Sequence, residues 1–75
     1  MTRLPVITGK DAIETFKKAG FYEASVVGSH HVLKKERHFY NLSIPVHGNK
    51  PLDRGLLRRL IRDSGLTVDE FTNLL

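Results

Sequence analysis

The stretch FYEASVVGSHHVLKKERHFYNLSIPVH, residues 21–47, decides the fold because it predicts three consecutive strands. Aromatic and β-branched residues predict a first strand over 21–27, and the tight-turn pair Gly28-Ser29 leads into a second strand over 30–35. After a polar turn, alternating apolar residues predict a third strand over 39–47. Because turns this short join antiparallel neighbours, the stretch predicts a small antiparallel sheet.

The alternation of side chains along a strand divides the second strand between two faces. One face carries His30, Val32 and Lys34, and the other carries His31, Leu33 and Lys35. Since each face carries one apolar residue, Val32 or Leu33, the pattern leaves open which face is buried. In the third strand, Pro45 lacks a backbone donor, which predicts an edge strand or a bulge.

Capping residues and stop glycines predict three helices around this sheet. The first runs over 9–19, and the last is short. The predicted caps and stops are Thr8 and Gly20 for the first helix, Asp53 and Gly65 for the second, and the capping box of Thr67 with Glu70 for the third. The order α-β-β-β-α-α predicts an α+β fold in which helices cover one face of a three-stranded antiparallel sheet.

Length and composition predict one domain over residues 1–75, with a short extended arm over 1–7. The chain has no cysteine, which excludes disulfides, thiol nucleophiles and cysteine-based zinc sites. No apolar stretch is long enough to span a bilayer, and the first residues lack the apolar core of a secretory signal. We therefore expect a cytoplasmic domain with no membrane partner.

The positive charge is concentrated in one part of the chain. The net charge is +4, yet residues 30–62 contain eight basic and two acidic residues, a net charge of +6, together with all four histidines. Such a concentration attracts phosphate backbones, RNA or DNA, or an acidic protein partner. A solvated basic face is the alternative interpretation.

The run Gly28-Ser29-His30-His31 is the sharpest candidate for chemistry. Glycine allows a ligand to approach the backbone, neighbouring amides bind anions, and histidine exchanges protons near neutral pH. These groups suit metal-free RNA cleavage, although two surface histidines at a hairpin turn would give the same pattern. The histidine spacings match no zinc module, and Ser29 lacks a nucleophile-elbow signature.

Basic residues also recur along the second predicted helix, at Arg54, Arg58, Arg59 and Arg62. Four guanidinium groups on one helix repel each other, so they require phosphates, partner carboxylates or open solvent. We expect Lys34 and Lys35 to join Arg54, Arg58 and Arg62 in binding RNA.

Three motifs together resemble the HicA (YcfA-like) family of mRNA-cleaving toxins: Gly28-Ser29-His30-His31, residues 44–50 and residues 55–71. The resemblance runs in register over almost the whole chain. It implies a double-stranded-RNA-binding-like fold, a ribonuclease whose key residue is His30, and a HicB-type antitoxin that covers this histidine.

We therefore expect a metal-independent endoribonuclease that needs no cofactor and cleaves mRNA. In this hypothesis His30 is the general acid or base, while Lys34 and the amides of Gly28 and Ser29 hold the phosphate. The alternative hypothesis is a non-catalytic RNA-binding module, or a degenerate toxin that retains only antitoxin binding.

Overall fold

The computed structural model describes residues 3–75, in the predicted order α-β-β-β-α-α. Met1 and Thr2, the start of the predicted arm, lie outside the described residues. The elements are α1 (Gly9–Lys18), β1 (Tyr22–Val27), β2 (His30–Lys34), β3 (Leu42–Pro45), α2 (Arg54–Ser64) and α3 (Val68–Leu74). Within this described part, no helix has the length and apolar character that crossing a bilayer requires.

The three strands form one antiparallel sheet in the order β1-β2-β3, so β3 is an edge strand, as Pro45 predicts. In the β1–β2 hairpin, Val27 pairs with His30 beside the turn. Farther along, a β-bulge between Glu23 and Ser25 shifts the register by one residue. The bulge therefore changes which β1 side chains lie on the same face of the sheet as a given β2 side chain.

The prediction that the third strand spans residues 39–47 is wrong at both ends, since its partner β2 covers only His30–Lys34. The strand runs only over Leu42–Pro45, because β2 ends at Lys34 and offers no partner beyond it. The chain turns between these strands instead, with Arg37 in the left-handed region at φ 63°. The rings of Phe39 and Tyr40 lie outside the sheet, 88% and 53% exposed.

One face of the sheet is covered by helices, and the other face is exposed. Leu33, Leu42 and Ile44 are fully buried beneath the helices. Alternation and cross-strand pairing put the other set of side chains on the opposite, uncovered face. This set, which we call the open face, consists of Tyr22, Ser25, Val27, His30, Val32, Lys34, Ser43 and Pro45.

Local signals place the three helices where the sequence predicts them, with α1 ending one residue earlier than expected. Thr8 and Asp53 accept hydrogen bonds from the third helical residue of α1 and α2, at 3.2 and 3.1 Å. Thr67 and Glu70 form the predicted capping box of α3. Glycines in the left-handed region follow α1 and α2, as expected for helix C-termini.

The last helix, α3, contributes to the core within the layer of helices. The expectation that helices cover one face of the sheet holds for α1 and α2, whereas α3 packs mainly against these two helices. Phe71 is fully buried, and its ring centroid lies 4.9 Å from that of Phe16 in α1. The described part of the N-terminal arm also contributes, since Leu4 is only 7% exposed.

Candidate functional site around the Gly28–Ser29 turn

The turn before β2 presents His30 at one end of the open face. Val27 and His30 flank a two-residue loop in which Gly28 has φ 60° and Ser29 does not have a positive φ. This is the pattern of a type II′ hairpin turn, in which the first position favours glycine. Within residues 3–75, the amides of Gly28 and Ser29 donate to no protein acceptor. Two free N–H groups thus lie beside an exposed imidazole, and such a pair can hold an anion.

Neighbouring backbone holds this turn in place. The Val46 amide donates to the Ser29 carbonyl oxygen at 2.8 Å, and Pro45 pairs with His30 across β2 and β3. Behind Pro45 lies Gly9 at the start of α1, where a Cβ atom would overlap the Pro45 carbonyl oxygen. The histidine therefore sits on a strand pair whose end is packed directly against a helix.

The second histidine of the motif faces the other way. The Nδ1 atom of His31 donates to the Glu23 carboxylate at 2.7 Å, and both residues line a cleft of about 260 Å³ beside α1. Sequence reasoning missed this pair, and no signal in the sequence would have found it. Without the bulge, the register counted from the turn would place Glu23 opposite Lys34, on the open face.

The four histidines lie in four separate environments. His38 donates from Nε2 to the Asp63 carbonyl oxygen at 2.6 Å and contacts the Phe21 ring edge-on, so it ties the β2–β3 loop to the end of α2. His47 is exposed on the loop after β3. Within residues 3–75, the structure brings together no three histidine or carboxylate side chains that could hold a metal ion.

The two predicted lysines have different surroundings. Lys34 is exposed on the open face, on the same side as His30. The strand rise of roughly 3.3 Å per residue separates their Cα atoms by about 13 Å, which is too far for Lys34 to hold the same phosphate as the amides of the Gly28–Ser29 turn, as the sequence hypothesis has it. Lys35 lies next to this strand end, and its Nζ atom is 5.5 Å from the centroid of the Phe21 ring. Lys35 is therefore occupied by an intramolecular cation–π contact, whereas Lys34 is available to a ligand.

The predicted arginine row lies on the exposed side of α2. Arg62 and Arg59 share the carboxylate of Asp63, at 3.5 and 4.0 Å. No carboxylate of residues 3–75 lies within 4.0 Å of Arg54 or Arg58. Thus Arg54 and Arg58 are the members of the row with no carboxylate neighbour among residues 3–75, and both are exposed to an external anion.

Fold and site together define a class: a small α+β domain with the double-stranded-RNA-binding-like order, carrying an exposed histidine at a glycine turn on an uncovered sheet. The family model described as "HicA toxin of bacterial toxin-antitoxin" matches residues 9–66. The chain belongs to the HicA toxin family. This membership supports a toxin role and implies an antitoxin partner. A comparison with curated proteins found no match.

Proposed function

We propose that this toxin is a metal-independent endoribonuclease that cleaves mRNA, with His30 as general acid or base. The observation that carries the proposal is the position of His30. It is the histidine that is exposed on the open face, next to two amides with no protein acceptor among residues 3–75. His31 and His38 already donate to protein oxygens.

The chemistry that fits this arrangement is attack of the RNA on itself. A base removes the proton of a 2′-hydroxyl, the 2′-oxygen attacks the adjacent phosphorus, and the bond to the 5′-oxygen breaks. An acid then protonates this leaving oxygen, which gives a 2′,3′-cyclic phosphate and a 5′-hydroxyl. Amides of Gly28 and Ser29 would stabilise the charge on the phosphate oxygens. A flexible single strand can bring the 2′-oxygen in line with the leaving group.

Cleavage of an RNA oligonucleotide in EDTA tests this assignment. A general acid or base contributes roughly 10²–10⁴-fold, so His30→Ala should lower the cleavage rate by this factor. The matched control is His47→Ala, because His47 is also exposed but lies outside the sheet. Equal rates for wild type and His30→Ala, or products ending in a 3′-hydroxyl, would show that the assignment is wrong.

A second candidate function is a non-catalytic RNA-binding module. In the part of the chain that the structure describes, the open face carries no carboxylate and no second histidine beside His30. On this face, His30 therefore has no second residue with which it could form an acid–base pair. RNA that binds wild type and His30→Ala equally, and is cut by neither, would establish this function instead.

The implied antitoxin is, in our proposal, a HicB-type protein with an acidic surface. Val27 is 70% exposed beside His30, and such an apolar side chain favours burial under a protein partner. Arg54 and Arg58 supply positive charges that lack a carboxylate partner among residues 3–75. A partner that covers the turn and pairs with these arginines would exclude RNA. Activity on mRNA further implies that the toxin acts in the cytoplasm.

A further inference from the structure

Tyr22 and Lys34 lie side by side at the end of the open face that is farthest from His30. They are directly opposite each other in the β1–β2 register, so their side chains share one face, with Cβ atoms about 5 Å apart. Tyr22 is 55% exposed, whereas tyrosine is on average intermediate in burial.

The β-bulge is what creates this pair. With an uninterrupted register from the Gly28–Ser29 turn, Glu23 would stand opposite Lys34 and neutralise it. The extra residue instead turns Glu23 toward the helices, where it binds His31, and brings Tyr22 opposite Lys34. None of the open-face side chains that the structure describes is therefore acidic, and a polyanion can follow this face without repulsion.

We propose that Tyr22 and Lys34 form a subsite for single-stranded RNA, in which a base stacks on the tyrosine ring and the lysine binds a phosphate. The inference rests on the proposed function and identifies its substrate as an unpaired strand. Stacking on an exposed ring requires a base that is not already stacked inside a duplex. The subsite lies about 13 Å from His30, given the strand rise, so it binds a neighbouring nucleotide and not the phosphate that is cleaved.

RNA affinity in a His30→Ala background tests the subsite without cleavage of the probe. Removing one base–aromatic stack typically corresponds to a 5- to 150-fold change in Kd, so Tyr22→Ala should weaken binding of a single-stranded oligonucleotide by about tenfold or more. Tyr22→Phe keeps the ring and should bind normally, whereas Tyr22→Leu should bind like Tyr22→Ala. The matched control is Tyr40→Ala, because Tyr40 is 53% exposed but lies on the β2–β3 loop.

Oligonucleotides with a single abasic site locate the stacked base. At one position, loss of the base and Tyr22→Ala should have non-additive effects, since both remove the same contact. The proposal is overturned if Tyr22→Ala leaves Kd unchanged, if Tyr40→Ala weakens binding equally, or if a duplex of the same length shows the same dependence on Tyr22.

These outcomes are separate from those that test the ribonuclease assignment. A chain that binds RNA through Tyr22 but never cleaves it contradicts the proposed function and supports the subsite. A chain that cleaves RNA through His30 while Tyr22→Ala binds normally supports the proposed function and contradicts the subsite. Melting temperatures of the variants exclude unfolding as the cause of weaker binding.

Discussion

The contact between α1 and β3 behind the histidine turn predicts the effect of Gly9→Ala. Gly9 is buried, and a Cβ atom there would overlap the carbonyl oxygen of Pro45, the residue paired with His30. A backbone carbonyl cannot rotate away as a side chain does, so the helix and the strand must separate. Overpacking of this kind costs about 1–3 kcal/mol, and the better helix propensity of alanine returns at most ~1 kcal/mol. We expect a net loss of about 1–2 kcal/mol in the free energy of unfolding.

Thermal denaturation followed by circular dichroism measures this loss. For a domain of this size, 1 kcal/mol shifts Tm by roughly 4–8 °C, so Gly9→Ala should melt about 5–15 °C below wild type. The matched control is Gly55→Ala in the first turn of α2, where the nearest atom to a Cβ would be Oδ2 of the capping residue Asp53 at 3.2 Å. This side-chain atom can yield by a few tenths of an ångström and keep its hydrogen bond to the Leu56 amide. This control should melt within a few degrees of wild type, because the gain in helix propensity offsets the small shift of the cap. Equal Tm values for the two variants would refute the reasoning.

Two further predictions concern the partner surface and the last helix. Reversing two charges with Arg54→Glu and Arg58→Glu should lower the association rate with the cognate antitoxin about tenfold, because electrostatic steering acts on the encounter. Arg3→Glu with Lys10→Glu changes the net charge equally and should have less effect in a stopped-flow measurement; an equal reduction by both pairs would contradict the proposed surface. Phe71→Ala should lower the free energy of unfolding by about 3–5 kcal/mol in urea denaturation, because the ring is fully buried. A loss below ~1 kcal/mol would mean that α3 does not belong to the core.

The sequence predicts the glycine turn of the candidate site, but it does not predict which side chains contact each other around it. The glycine turn followed by histidine is a local signal, and the structure has the turn where the sequence predicts it. The two neighbouring lysines are equivalent in sequence, yet Lys35 contacts the Phe21 ring while Lys34 faces solvent. The difference depends on the pairing of β1 with β2, which brings Phe21, just before β1, next to Lys35, just after β2.

By itself, the sequence determined the features that depend on interactions within a few residues. Helix starts at Thr8, Asp53 and Thr67 follow from side chains that cap amides three residues away. The hairpin at Gly28 follows from the backbone freedom of glycine. The α-β-β-β-α-α order was therefore predictable, whereas the bounds of β3 depend on its pairing with β2.

Only the tertiary structure decided which residues face each other. Alternation shows that His30 and His31 point to opposite sides of β2, but the choice of the buried side depends on where the helices pack. Likewise, the bulge that turns Glu23 toward His31 and Tyr22 toward Lys34 depends on how β1 pairs with β2. The buried face of β2 and the register of β1 both depend on contacts between distant parts of the chain. The alternation in β2 does not reveal them, because Val32 on one face and Leu33 on the other are both apolar.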